Sequence, residues 1–88
     1  MEKWKFKDVV TEYEDAIITY RSTKSKKLKY NVCTLNFDNK YIQSKKNRAK
    51  ESDDTVLLFC WDTDSYRLLR PANVTHIAPL QSILRNKK

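Results

Sequence analysis

Apolar and β-branched residues come in short runs separated by polar turns, and that rhythm predicts a β-rich chain. Ala16-Ile-Ile-Thr-Tyr-Arg21 is β-branched and aromatic and reads as a strand. Ser22 to Lys27 is polar and lysine-rich and reads as a loop. Leu28 to Phe37 follows as a second strand. Leu28, Tyr30, Val32 and Thr34 fall on one face, and Lys29, Asn31, Cys33, Leu35 and Phe37 on the other. The apolar side changes midway, which predicts a bulge or a strong bend. Asp38-Asn39 reads as a two-residue turn, because both tolerate left-handed backbone angles, and Lys40 to Ser44 as a short returning strand. Residues 45–54 form a charged loop whose only apolar residue is Ala49.

Thr55 to Trp61, TVLLFCW, is the strongest strand, and its continuous apolar character predicts burial on both faces. Asp62-Thr-Asp-Ser65 is a tight connection to Tyr66-Arg-Leu-Leu69. Pro71-Ala-Asn73 is a one-turn break, and Val74-Thr-His-Ile77 a last short strand. Pro79 suits the first turn of a short C-terminal helix, Leu80 to Arg85, with Leu80, Ile83 and Leu84 on one side. The N-terminus has two readings. Trp4, Phe6 and Asp8 alternate with lysines as in a strand, whereas Val9, Val10 and Tyr13 suit a short helix. Closely spaced short strands in 88 residues predict one all-β domain over 1–88, a small five-stranded barrel. The chain has no glycine, so Asn, Asp and Ser are expected at its tight corners.

Charge changes this picture from a generic barrel to a candidate binder. Residues 1–20 carry a net −2, residues 21–50 a net +9, and residues 51–88 a net zero. Two lysine-rich segments make the middle third cationic: Lys24, Lys26, Lys27 and Lys29, then Lys45, Lys46, Arg48 and Lys50. Clustered cations attract phosphates through counterion release, and both segments are expected to converge into one polyanion-binding surface.

The stretch Val56 to Leu80 resembles the final hairpin of the Tudor and PWWP group of SH3-like barrels. There a strand ends in aromatics and a turn, an aromatic-led strand follows, and a one-turn helix leads to a closing strand. Cys60-Trp61-Asp62-Thr63, Tyr66-Arg-Leu-Leu69 and Ala78-Pro79-Leu80 take those places. The resemblance implies a non-enzymatic, chromatin-associated nuclear module that contacts DNA, more than RNA, or a nucleosome. It also implies a methyl-lysine cage for a histone tail, because aromatic faces attract a quaternary ammonium. The matching positions are Trp61 and Tyr66, with Asp62 or Asp64 as the acid and Tyr20 or Tyr30 as a third wall, while on the residues alone Trp61 and Tyr66 read first as a cross-strand aromatic pair packing a small core.

Other readings remain open on the sequence. One is a protein-interaction module docking a partner through the barrel edge or through Leu80, Ile83 and Leu84. Another is an OB-like fold stacking single-stranded bases on Tyr41, Phe37 or Trp61. Enzyme chemistry is not expected. The single histidine, His76, alternates toward solvent, and a Gly-rich phosphate loop needs glycine. Two cysteines and one histidine, widely spaced, make no zinc pattern, so no metal or cofactor is expected. Cys33 and Cys60 lie in apolar runs and are expected as buried free thiols. No apolar run approaches the roughly 18 residues of a membrane span, and no signal peptide is expected.

Overall fold

A computed structural model describes residues 1–47 and 49–81. Helix α1 (Lys3–Tyr13) comes first, then strands β1 (Asp15–Arg21) and β2 (Leu28–Thr34). Helix α2 (Lys40–Gln43), β3 (Val56–Cys60), β4 (Ser65–Leu69), a 3-10 turn (Pro71–Asn73) and β5 (Val74–Pro79) complete the order. The strands form one antiparallel sheet in the order β4-β3-β2-β1-β5. The mainly β expectation therefore holds.

The N-terminal ambiguity resolves as helix. Phe6 and Val10 are one turn apart on α1 and both fully buried, with Tyr13 packed beside them. They cover Ala16 and Ile18 of β1, Cys33 of β2, and Val56, Leu58 and Cys60 of β3. Leu69 of β4, together with Val74 and Ile77 of β5, joins the same cluster. Both edge strands thus reach one core, so the sheet curls around it.

Burial on both faces of β3 holds as expected. Val56, Leu58 and Cys60 enter the α1 side, and Phe59 is fully buried on the other. There Phe59 meets Tyr41, Trp61 and Tyr66 edge-on, at ring separations of 6.4, 5.1 and 5.4 Å. The two thiols are free, face each other across β2 and β3 at 3.1 Å, and are fully buried.

Several expectations are corrected. The second strand ends at Thr34, not Phe37. Thr34 Oγ1 accepts from the Asn36 amide and Asn36 Oδ1 from the Asp38 amide, which turns the chain out of the sheet. Lys40 to Ser44 is not a returning strand. Asn39 Oδ1 caps the Tyr41 amide at 2.8 Å, α2 forms, and Ile42 is driven into the Phe59 side. The apolar side of β2 does not switch, because Asn31 is itself buried on the Cys33 side. Its amide group is satisfied by the Tyr20 hydroxyl and by Asp62. The register shift lies instead between β1 and β5, at Thr19 and Tyr20.

The described helices are at the N-terminus and mid-chain. Pro79 pairs with Ala16 in β5 rather than opening a helix. Leu80 and Gln81 have helical backbone, and the remainder of the expected C-terminal helix, with Ile83 and Leu84, lies outside the described residues. Among the described residues, positive φ occurs at Glu14, Lys26 and Asp64, while Asn36, Asn39 and Ser52 serve other turns through side-chain or amide hydrogen bonds.

Candidate anion-binding site

The β1–β2 hairpin projects its tip toward β4. Its loop is closed by the Ser22 amide bonding the Lys27 carbonyl and the Lys26 amide bonding the Ser22 carbonyl, both at 2.9 Å. Because the sheet curls, this tip and β4 line one concavity of about 410 Å³, although two strands separate them in the sheet order. Among the described residues, its cations are Arg21, Lys24, Lys29, Arg67 and Arg70, and no carboxylate lines it. Lys29 sits opposite Tyr20 in the β1–β2 ladder. Arg67 sits opposite Leu58, so it emerges from the core side of β4.

Their partners differ. Arg21 Nη1 donates to the Lys26 carbonyl at 2.7 Å, which fixes the guanidinium without neutralising it. Arg70 Nη1 pairs with Asp54 at 3.0 Å, in a contact exposed on both sides and therefore weak. Among the described residues, Lys24, Lys29 and Arg67 enter no ion pair. Five positive groups around one opening raise the local potential and favour a multiply charged anion such as a phosphodiester.

A second concavity, about 440 Å³, adjoins the first and shares Tyr20, Lys29 and Arg67 with it. Leu28, Tyr30 and Asp62 also line it. Its floor is a bonded relay. Tyr20 Oη donates to Asn31 Oδ1 at 2.6 Å, Asn31 Nδ2 donates to Asp62 Oδ2 at 2.9 Å, and the Val32 amide donates to Asp62 Oδ1 at 3.1 Å. Burial pushes the Tyr20 phenol above its ordinary value against the pull of Arg67, so the hydroxyl stays a donor. The bond to the Cys60 sulfur, together with burial, likewise holds the Cys33 thiol well above the usual range.

The second lysine-rich segment has a different setting. Lys45 Nζ bonds Asp64 Oδ2 at 2.9 Å and lies 4.7 Å from the Tyr41 ring centre. The Tyr41 hydroxyl also bonds Asp64. The Lys45 bond first, and the tyrosine second, hold the Asp64 carboxyl below its ordinary value. Lys46 lines a shallow hollow with Ala49 and Tyr66. Tyr66 is opposite Phe59, so this hollow belongs to the far face of β4 from Arg67. Lys50 is exposed, and Arg48 lies outside the described residues. Beside them Glu51 bonds Lys7 at 2.8 Å and Lys3 at 3.4 Å, and the Lys7 bond holds its carboxyl low.

The structure thus brings Lys24 and Lys29 together, leaves Lys26 and Lys27 at the hairpin tip, and sets Lys45 and Lys46 on another side of β4. The aromatic positions also divide. Tyr20, Tyr30 and Asp62 share the second concavity. Trp61, Tyr66 and Asp64 belong to the Phe59 cluster, where Trp61 stacks on Tyr41 and donates through Nε1 to Asp15 at 2.9 Å. The site cations absent from the sequence candidates are Arg21, Arg67 and Arg70. The available signal was alternation on β4, which puts Arg67 on the same face as Leu69.

His76 is exposed, pairs with Thr19 in the β1–β5 ladder, and its ring Nδ1 bonds the Thr75 hydroxyl. Among the described residues, no group of three or more His, Cys, Asp or Glu is placed to hold a metal ion, and no helix is long and apolar enough to cross a membrane. No protein-family model matches this chain, and no curated protein or solved structure is significantly similar to it.

Proposed function

We propose that this chain is a non-enzymatic nucleic-acid-binding module that holds phosphates in the concavity between the β1–β2 tip and β4. The observation that carries this reading is the gathering of Arg21, Lys24, Lys29, Arg67 and Arg70 around one opening that no carboxylate among the described residues lines. DNA is the favoured nucleic acid, chromatin the setting and the nucleus the compartment.

A Tudor-like, SH3-like barrel is the architecture that goes with this function. It is supported by the strand order, by the return of β5 to β1, and by the one-turn helix before the closing strand. A methyl-lysine cage is not part of the proposal, because its aromatic positions are divided between two sites and Lys45 already lies over Tyr41. Docking of a partner through Leu80 has no specific observation in its favour.

The test is fluorescence anisotropy with labelled DNA across a salt series. Three to five phosphate contacts predict that affinity falls roughly 40- to 500-fold between about 50 and 200 mM salt. An affinity indifferent to salt would refute the reading.

A further inference from the structure

The two adjoining concavities differ in a way that specifies more than charge. Among the described residues, the first is lined by five cations and no acid. The second adds the Tyr30 ring, Leu28 and one carboxylate, Asp62, with Tyr20, Lys29 and Arg67 on the shared boundary. Tyr30 is 68% exposed and makes no ring contact among the described residues. Leu28, two residues along the same face of β2, is 55% exposed.

Exposure of Tyr30 follows from how β2 is paired. β2 meets β3 only at Cys33 and Thr34, with one further bond from the Trp61 amide to the Val32 carbonyl. Residues Leu28 to Asn31 therefore run past the end of β3, and nothing in the described chain covers the outer face there.

Resting on the nucleic-acid reading, we infer that the preferred ligand is a single strand, with a phosphate in the acid-free concavity and the adjacent base stacked on Tyr30. A phosphodiester is repelled from the second concavity by Asp62 and drawn into the first. A base is neutral, tolerates that carboxylate, and gains from an exposed aromatic face. Such stacking is sequence-tolerant because every base offers a π-face. In a duplex the bases are already stacked on one another, so Tyr30 has nothing to receive. Arg67 lies at the junction, where it reaches the backbone between phosphate and base.

The experiment uses a labelled oligothymidylate of about twelve nucleotides, the matching oligouridylate, and a duplex of equal length. Binding to the wild-type chain, Tyr30→Ala and Tyr30→Phe is measured across a salt series. Either single strand is expected to bind about tenfold or more tightly than the duplex. Tyr30→Ala is expected to weaken single-strand binding about tenfold without changing the salt slope, and Tyr30→Phe to restore it. Arg67→Ala is expected to lower the slope by about 0.7. Duplex binding as tight as single-strand binding, or indifference to Tyr30→Ala, overturns this inference and leaves the nucleic-acid reading standing. Absence of salt-dependent binding to all three probes removes both.

Discussion

Two segments of this molecule are nearly interchangeable as sequence and unlike as electrostatic surfaces. The β1–β2 tip and the stretch after α2 are both polar, lysine-rich and free of glycine. Around Lys24 and Lys29 the fold adds Arg67 from β4, Arg21 from β1 and, from the turn after β4, Arg70, which is itself in an exposed pair with Asp54. Around Lys45 it adds Asp64, and around the neighbouring Glu51 it gathers Lys3 and Lys7. Exposed pairs of this kind are weak on either side, so the difference lies in how many cations share one opening. Charge density along a chain therefore counts potential ligands, and their gathering in space decides which of them act together.

The segments also differ in what anchors them. The chain around Lys45 follows α2, which is pinned by Ile42 and by the rings packed on Phe59. The hairpin tip is held by backbone hydrogen bonds. Phe59→Ala is the largest expected perturbation. It removes the ring under Tyr41, Trp61 and Tyr66 and should cost about 3–5 kcal/mol, read as a fall in the denaturant midpoint. If the distinction is right, proteolysis of the weakened variant begins in residues 40–54 and not at the hairpin tip. Initial cleavage at residues 22–27 would remove that difference.

Next in size is the direct comparison of the cations. Replacing Lys24, Lys29 and Arg67 together by Ala should lower DNA affinity about tenfold or more. It should also flatten the salt dependence, by about 0.9 for each duplex phosphate that is no longer neutralised. Replacing Lys45, Lys46 and Lys50 together should change affinity by less than about threefold, since none of them lines the opening that gathers the other cations. Equal losses in the two triple variants, in the same anisotropy assay, would show that placement around that opening does not separate the segments.

The smallest effect is expected at the hairpin tip. Lys26 is at positive φ, an arrangement that costs a residue with a Cβ roughly 1–2 kcal/mol and glycine little. Glycine gives part of this back through unfolded-state entropy, roughly 0.5–1 kcal/mol. Lys26→Gly should therefore stabilise the fold by up to about 1 kcal/mol in chemical denaturation. It keeps the carbonyl that receives Arg21, so DNA affinity should stay within about twofold. A loss of affinity matching that of the triple variant at Lys24, Lys29 and Arg67 would assign the site to the hairpin tip instead of the concavity.

Much of the fold was legible because it rests on local patterns. The β-branched run in β1, the two-sided apolar run in β3, the turn at 62–65 and the break at Pro71 depend on neighbours along the chain. Asn31 misled the reading of β2 because a polar residue is read as outward. Its burial is permitted only by Tyr20 and Asp62, from elsewhere in the chain. Asn39 misled the reading of residues 40–44, since the same side chain serves a hairpin turn or a helix cap. Burial of Ile42 against the Phe59 side selects the cap.

By itself, then, the amino-acid order determined a small β-rich domain with a surplus of cations in its middle third. Which cations act together was a tertiary decision. Sheet curvature sets Arg67 beside residues about forty positions earlier, and the fold places Lys45 beside Asp64 and Tyr41, away from that opening. Electrostatic potential depends on distances through space and on the medium between charges, and neither is written in sequence separation.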